Sequence, residues 1–220
     1  MVQQNKQFVI DSLSMKESWR LFKIMAELVD GFDTLGEYGH GVSIFGSARV
    51  KEGDSIYDEC VEISRKLAQA GYTVITGGGP GIMEAGNKGA AEVDGGVSVG
   101  LNIQLPMEQK PNSFQNVELD FKYFFVRKVM FVKYATAYIV MPGGLGTLDE
   151  LFEAAVLVQT KRIKPFPIIL YKSEYWNGLL DWIKTTMVQG GYLNEDELDL
   201  FAVMDTPDEV VHFIKRYVIV

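Results

Sequence analysis

The order of apolar and polar residues predicts that short strands and longer helices alternate along most of the chain. Near the start, apolar residues recur every three or four positions between Trp19 and Val29, which is the spacing of an amphipathic helix. Apolar runs of strand length follow and predict strands at residues 42–45, 72–75, 97–101, 137–141 and 166–171. Helical patterns predict helices at residues 55–70, 82–92, 123–134, 148–160, 175–187 and 208–217. An irregular stretch with two prolines, Pro106 and Pro111, separates the third strand from the next helix.

This alternation predicts an α/β fold. Apolar strands that alternate with helices are typical of βαβ crossovers, in which helices cover both faces of a mostly parallel sheet. The chain has 220 residues, 47% of them hydrophobic, which is enough for one large core and short for two. We therefore expect residues 1–220 to form a single nucleotide-binding, doubly wound, Rossmann-like domain. Residues 1–38 would be an N-terminal helical extension of it.

Composition and charge narrow the classes of function. The net charge of −8 argues against binding to nucleic acid or to an anionic membrane, both of which need a basic surface. Cys60 is the only cysteine, so no intrachain disulfide can form, and its helical surroundings predict a packed thiol in a reducing, cytoplasmic setting. His40 and His212 lie far apart, and no metal-ligand spacing is present, so neither a metal nor a cofactor is expected. We see no signal peptide, and no apolar run reaches the roughly 20 residues that span a bilayer.

Two of the predicted strands run into glycine-rich turns that begin helices. The first turn, at residues 77–81, contains Gly78 and Gly79, and the second, at residues 142–147, contains Gly143, Gly144 and Gly146. Glycine lets an anion approach the backbone N–H groups, and a helix start adds unpaired donors and a partial positive charge. Both turns lie at the carboxyl ends of strands, where ligands bind in such folds. They could be ordinary tight turns, but two of them together favour an anion site.

The details of the two turns favour a nucleoside monophosphate as the anion. The dinucleotide pattern G-x-G-x-x-G is absent, and Leu101-Asn102 offers no acidic residue to a ribose. Residues 81–86 nearly match a P-loop, but Asn87 stands where the phosphate-binding lysine belongs. A monophosphate needs only one turn and leaves the other for sugar or base.

Glu150 has two possible roles. Thr147 and Glu150 fit a capping box with Thr147 at the N-cap, which would make Glu150 a helix-end residue. An anion bound at this helix start would, however, lie close to Asp149 and Glu150 and would need a cation nearby. The pair Arg127-Lys128 could supply one, or it could be a solvated helix start, and the second possible role of Glu150 is that of a catalytic carboxylate.

Five sequence motifs together resemble the LONELY GUY (LOG) family of cytokinin riboside 5′-monophosphate phosphoribohydrolases, often labelled possible lysine decarboxylases. The motifs are Phe45-Gly46-Ser47-Ala48-Arg49, the run at 76–85, Leu105-Pro106-Met107-Glu108-Gln109, Arg127-Lys128, and the run at 142–150. Many plant members have glycine where this chain has Glu84, which indicates the longer bacterial-type branch.

The resemblance implies hydrolysis of the N-glycosidic bond of an adenine-type nucleoside 5′-monophosphate, either AMP or a cytokinin nucleotide, by a homo-oligomer. It implies Arg127 and Glu150 as the catalytic pair. The expected substrate-binding residues are Ser47, Gly78, Gly79, Glu84, Glu108, Lys128, Gly143, Gly144, Gly146 and Thr147. A non-catalytic nucleotide sensor or carrier on the same fold is the alternative. A pyridoxal phosphate decarboxylase is disfavoured, because no motif supplies its Schiff-base lysine.

Overall fold

The computed structural model describes residues 17–39, 41–104 and 110–218, which form one seven-stranded sheet flanked by helices. The strands are β1 Gly41–Phe45, β2 Thr73–Thr76, β3 Ser98–Ile103, β4 Val117–Phe121, β5 Ala135–Val140, β6 Ile168–Tyr171 and β7 Phe201–Met204. The helices are α1 Glu17–Leu35, α2 Ser55–Gln69, α3 Ile82–Ala91, α4 Phe124–Tyr134, α5 Leu145–Gln159, α6 Ser173–Trp182 and α7 Pro207–Tyr217. Helix α6 continues into a π-helical segment, Ile183–Val188, and a 3-10 helix, Glu195–Leu200, precedes β7.

The sheet is parallel throughout and its strand order is β4-β3-β2-β1-β5-β6-β7. The order reverses between β1 and β5, which are hydrogen-bonded neighbours. This point is where open α/β sheets bind ligands, beyond the carboxyl ends of the strands. The predicted doubly wound, Rossmann-like fold is confirmed.

Each face of the sheet has its own apolar core. Successive side chains of a strand point to opposite faces, so Ala137 and Ile139 of β5 pack under α2, α3 and α7. Tyr138 and Val140 of the same strand pack under α4, α5 and α6. Because both faces are covered, the central strands carry apolar residues on both faces, which is the pattern that predicted them.

The two edge strands, β4 and β7, are absent from the prediction. In β4 only Val117 and Phe121 are buried, and of the residues between them Glu118 and Asp120 are exposed and Leu119 is half-exposed. Strand β7 has no fully buried residue. An edge strand is covered less completely than a central one, so neither segment shows the continuous apolar run that indicates a buried strand.

The expected N-terminal helix is present and packs against α4. The Glu27 carboxylate accepts hydrogen bonds from the Lys122 and Tyr123 N–H groups, immediately before α4 begins. Leu35 at the end of α1 is buried in the core beneath it. Within the described parts of the chain, none of the helices is long and apolar enough to cross a membrane.

Cys60 is a packed thiol, as expected. It is fully buried on α2, and its Sγ–H donates to the Ile82 carbonyl oxygen at 3.6 Å. Burial raises the pKa of the Cys60 thiol to about 12, so it stays protonated at neutral pH. Gly71 follows α2 with a φ of 86°, which confirms the predicted glycine after the helix end.

Candidate active site

A cavity of about 870 Å³ opens at the carboxyl ends of the strands, where the strand order reverses. Three loops meet there: residues 46–49 after β1, the first glycine turn after β2, and the second glycine turn at the start of α5. Side chains of α4 form another wall. The predicted site residues that line the cavity are Ser47, Gly78, Gly79, Arg127, Gly144, Gly146, Thr147 and Glu150.

The loop after β1 joins the two glycine turns. The Ser47 N–H donates to the Pro142 carbonyl oxygen at 3.0 Å, and the Ser47 carbonyl accepts from the Ile82 N–H at 3.0 Å. The fit is close enough to require glycine at two positions. A Cβ at Gly81 would lie 2.4 Å from the Ser47 oxygen, and a Cβ at Gly143 would lie 2.1 Å from Thr147 Oγ1. Turns that lie about 65 residues apart in sequence are thus held side by side.

A segment after β3 fixes the first glycine turn. The Gly78 carbonyl accepts from the Asn112 N–H at 2.9 Å and from Gln115 Nε2 at 2.8 Å. Asn112 Nδ2 also donates to the Gly79 carbonyl at 3.0 Å. The Gly78 carbonyl and the Gly79 N–H belong to one trans peptide and therefore point in opposite directions. Because the carbonyl faces Asn112 and Gln115, the Gly79 N–H points away from them. The sequence reasoning missed Asn112 and Gln115, because no pattern links them to the turn.

Asn87 stands at the position of a P-loop lysine but has a structural role. Its side chain is fully buried, and its Oδ1 accepts from Thr76 Oγ1 at 2.6 Å and from Asn112 Nδ2 at 2.9 Å. Its Nδ2 donates to Ser98 Oγ and to the Val99 carbonyl. These bonds connect the first turn to β3 beneath the cavity, so Asn87 holds the turn rather than a ligand.

The second glycine turn begins its helix earlier than predicted. Helix α5 starts at Leu145 with Gly144 at the N-cap, and no side chain caps it. Thr147 is therefore the third helical residue, Glu150 lies in the second turn, and the capping-box interpretation is wrong. A helix start leaves its first N–H groups without acceptors inside the helix. The glycines place those donors at the cavity wall. The Gly143 carbonyl faces outward and accepts from the Tyr175 hydroxyl at 2.5 Å.

Glu150 is a buried carboxylate on the cavity wall, with only 6% of its surface exposed. Lys128 Nζ lies 3.6 Å from its Oε1. Burial raises the pKa of Glu150, and the nearby cations Lys128 and Arg127 offset part of that rise. A carboxyl group with a raised pKa exchanges protons nearer to neutral pH than a surface glutamate does, which suits general acid or base chemistry.

The guanidinium of Arg127 lies against two aromatic rings in the wall of the cavity. Its guanidinium carbon lies 5.3 Å from the centre of the Phe124 ring and 5.6 Å from that of Phe131. Nη1 donates to the Leu101 carbonyl oxygen at 3.4 Å, whereas the buried Nε has no partner among the described residues. Burial lowers the pKa of Arg127, which still remains charged. An unpaired donor on a buried cation opposes folding and is typical of a ligand site.

Gly143, Lys128 and Glu84 are predicted contact residues that do not line the cavity. Lys128 lies among carboxylates of α5 and does not line the cavity. The Glu84 carboxylate accepts from the Tyr57 hydroxyl at 2.9 Å, between α2 and α3, and is likewise not among the lining residues. Glu108 lies outside the described residues.

Arg49 is a cavity residue that the sequence reasoning did not assign. It is exposed, lines the cavity and forms no ion pair with any residue that the structure describes. Its N–H donates to Ser47 Oγ at 3.1 Å, which fixes the loop that carries it. It closes the Phe45-Gly46-Ser47-Ala48-Arg49 motif, and that motif was its only signal in the sequence.

Comparisons with known proteins identify the family of the chain. The family model described as "Possible lysine decarboxylase" matches residues 83–214, more than half of the chain. The cytokinin riboside 5′-monophosphate phosphoribohydrolase LOG of Oryza sativa subsp. japonica is 29% identical over 177 residues, covering 79% of this chain and 71% of the relative. The Mycobacterium marinum phosphoribohydrolase of the same name is 26% identical over 154 residues, covering 68% and 80%.

Solved structures show the same fold. The X-ray structure of TM1055 superposes with a TM-score of 0.59 at 26% identity and covers 81% of this chain and 99% of its own. The molybdenum cofactor carrier protein of Chlamydomonas reinhardtii gives a TM-score of 0.56 at 18% identity, over 81% and 97%, which shows a shared fold only. Taken with the glycine turns and the Arg127 and Glu150 pair, these matches establish that the chain belongs to the LONELY GUY (LOG) family, whose model bears the decarboxylase description.

Proposed function

We propose that the protein is an N-glycosyl hydrolase that cleaves adenine-type nucleoside 5′-monophosphates into the free base and ribose 5-phosphate. The observation that carries this proposal is that Arg127 and Glu150, from two different helices, line one cavity beside the glycine turn that opens α5. The names of the rice and mycobacterial relatives support the same reaction. Cytokinin riboside monophosphate and AMP are both candidate substrates.

In this proposal the phosphate binds at the start of α5. Gly144, Gly146 and Thr147 line the cavity there, and the helix start supplies backbone donors and a partial positive charge. The phosphate also needs a cation, because Glu150 is only one helical turn further on. Arg49 meets that need, since its loop is hydrogen-bonded to the second turn and its guanidinium has no carboxylate partner within the described chain.

Replacement of Arg49 by alanine is expected to raise KM for AMP about tenfold, the scale of one lost charge-assisted hydrogen bond. Hydrolysis of adenosine, which has no phosphate, should change little. Steady-state kinetics with both substrates measure this difference. Arg162→Ala, which removes an exposed arginine beyond the end of α5, is the matched control. An unchanged KM for AMP in Arg49→Ala would remove Arg49 from the phosphate site.

In this proposal Glu150 acts at the sugar. As the C1′–N9 bond breaks, its electron pair leaves with the base, and positive charge develops on the ribose ring. An ionised Glu150 stabilises that charge and accepts a proton from the water that attacks C1′. The departing base takes up a proton, so the products are a neutral base and ribose 5-phosphate. Arg127 holds the substrate by charge-assisted hydrogen bonds.

The direct test is an incubation of the purified protein with AMP, isopentenyladenosine monophosphate, GMP, CMP and adenosine. We expect chromatography to show free adenine or free prenylated adenine with an equal amount of ribose 5-phosphate. Tight binding of AMP without release of a base would favour a carrier or sensor instead. Release of carbon dioxide from lysine in the presence of pyridoxal phosphate, with no base released from any nucleotide, would favour the decarboxylase description.

We also propose that the protein is a homo-oligomer that associates through the face formed by α1, α4 and α5. These helices expose large apolar side chains that a water-facing helix rarely carries together. The exposed residues are Trp19, Phe22, Met25 and Val29 on α1, Phe125 and Val129 on α4, and Phe152 and Val156 on α5.

Sedimentation equilibrium is expected to give at least twice the monomer mass for the wild-type protein. A charge in the middle of an apolar interface is strongly unfavourable, so Val156→Asp should shift the mass toward that of the monomer. Tyr217→Asp introduces the same charge on α7, on the opposite face of the sheet, and should leave the mass unchanged. A monomeric wild-type protein would contradict the proposal.

A further inference from the structure

Lys128 has three carboxylates around its ammonium group. Nζ lies 2.6 Å from Glu153 Oε2, 2.9 Å from Asp149 Oδ2 and 3.6 Å from Glu150 Oε1. The lysine side chain is only 15% exposed, whereas those of Asp149 and Glu153 are 61% and 36% exposed. The ammonium group is therefore enclosed between α4 and α5, with carboxylates as its ion-pair partners.

This placement does not suit a residue that binds substrate. Lys128 is the neighbour of Arg127 in sequence, yet Arg127 lines the cavity and Lys128 does not. Successive residues of a helix point about 100° apart, so Arg127 faces the cavity while Lys128 faces α5. To reach a phosphate, Lys128 would have to leave three carboxylates and expose Glu150 to its acidic neighbours.

The charges around Glu150 give Lys128 a different role. Among the described residues, α4 contributes Arg127 and Lys128, α5 contributes Asp149 and Glu153, and β5 contributes the buried hydroxyl of Tyr138. Burial and the two acidic neighbours raise the pKa of Glu150, and the two cations lower it, with Lys128 the stronger of the two. Lys128 Nζ lies 3.6 Å from Glu150 Oε1, which is the distance of an ion pair and not of a hydrogen bond, so it acts on Glu150 through its charge.

We propose that Lys128 is a positioning residue that acts through the charge it places beside the buried Glu150 carboxylate and keeps that carboxylate ionised, and that it does not contact the substrate. The kinetic tests of this inference rest on the proposed hydrolase function, whereas a titration of Glu150 by NMR does not. The two neighbouring cations therefore have different roles: Arg127 faces the ligand, and Lys128 acts on the Glu150 carboxylate.

The first test is the pH profile of Lys128→Met. Activity should fall at low pH as Glu150 becomes protonated, and loss of a cation within 4 Å should move this acidic limb up by about one pH unit. At a pH below the acidic limb, the turnover of Lys128→Met should therefore be about tenfold lower than that of the wild type. Its KM for AMP should stay within about twofold of the wild-type value. Lys128→Arg keeps the charge and should restore the limb. Lys133→Met, which removes an exposed cation from the same helix, should leave the profile unchanged.

The second test removes a negative charge near Glu150 instead of a positive one. Glu153→Gln removes a negative charge that raises the pKa of Glu150, so the acidic limb should move to lower pH. This variant tests the proposal even where Lys128→Met fails to fold. A KM for AMP that rises tenfold or more in Lys128→Met, with the limb unmoved, would overturn the proposal and make Lys128 a substrate contact.

A direct measurement separates this inference from the proposed function. The carboxyl carbon of Glu150 can be titrated by NMR in 13C-glutamate-labelled protein, with Glu150→Gln to assign the resonance. Its pKa should rise in Lys128→Met and fall in Glu153→Gln, whether or not any nucleotide is hydrolysed. An unchanged titration in both variants would refute the role of Lys128, while a protein that cleaves no nucleotide would refute only the hydrolase assignment.

Discussion

Glu150→Gln is expected to reduce kcat for nucleotide hydrolysis by roughly a thousandfold while substrate binding changes little. Glutamine has the shape of glutamate but neither stabilises a cationic ribose nor takes a proton from water. Single-turnover hydrolysis and calorimetric binding of AMP measure the two effects separately. Glu174→Gln, an exposed change on α6, should keep wild-type turnover. A Glu150→Gln protein with wild-type kcat would exclude the assigned role.

The same substitution should not lower stability at neutral pH. Burial raises the pKa of Glu150 in the folded state above its unfolded value. Its contribution to stability is therefore complete below the unfolded pKa and is lost as the pH rises through the folded pKa. Glutamine carries no charge to desolvate, so Glu150→Gln should match or exceed the wild-type Tm at pH 8, and the advantage should shrink toward pH 4. A large fall in Tm would instead attribute lost activity to misfolding.

Arg127→Met is expected to lower kcat/KM by roughly a hundredfold or more, because it removes a charged donor that faces the substrate. Its effect on Tm should be small or positive. The guanidinium is buried between Phe124 and Phe131 with an unpaired Nε, and an apolar side chain of similar length fits that space without an unsatisfied donor. Kinetics with AMP and calorimetric unfolding measure the two quantities.

Arg20→Met provides a matched control for this variant. Arg20 also lies over an aromatic ring, 5.6 Å from the centre of Tyr123, but it belongs to α1 and does not line the cavity. Its removal should leave kcat/KM unchanged. Equal losses of activity in both variants would show that a cation over an aromatic ring supports the fold in general and that Arg127 has no special role at the site.

Much of the fold could be predicted from the sequence because buried parallel strands are apolar on both faces. Phe45, Thr76 and Val140 end such strands, and the glycines beyond them mark the turns at the cavity. The edge strands β4 and β7 gave no such signal, because their residues alternate or are half-exposed. The strand order, which places β1 between the two turns, depends on pairings that no local pattern encodes.

Parts of the candidate site could not be predicted for physical reasons. The Thr147 to Glu150 spacing fits a capping box, but the backbone becomes helical at Leu145, because Gly144 already leads the chain into the helix. Lys128 adjoins Arg127 in sequence, yet the helical twist turns it toward the acidic side of α5. Asn112 and Gln115 hold the first turn through contacts across more than 30 residues.

The close packing of the 46–49 loop against both glycine turns restricts substitution at some positions around the cavity and leaves others free. At Gly81 and Gly143 a Cβ would lie within 2.4 Å of a neighbouring atom, whereas at Gly144 and Gly146 it would meet nothing within 4 Å, so in the second turn the packing demands glycine only behind the cavity wall. The opposite rim carries exposed Gln104, Lys110 and Asp120, where exchange of a side chain disturbs no packed neighbour. In the proposed hydrolase, substitutions at this rim are therefore expected to change the preference for the base without disturbing the glycine turns.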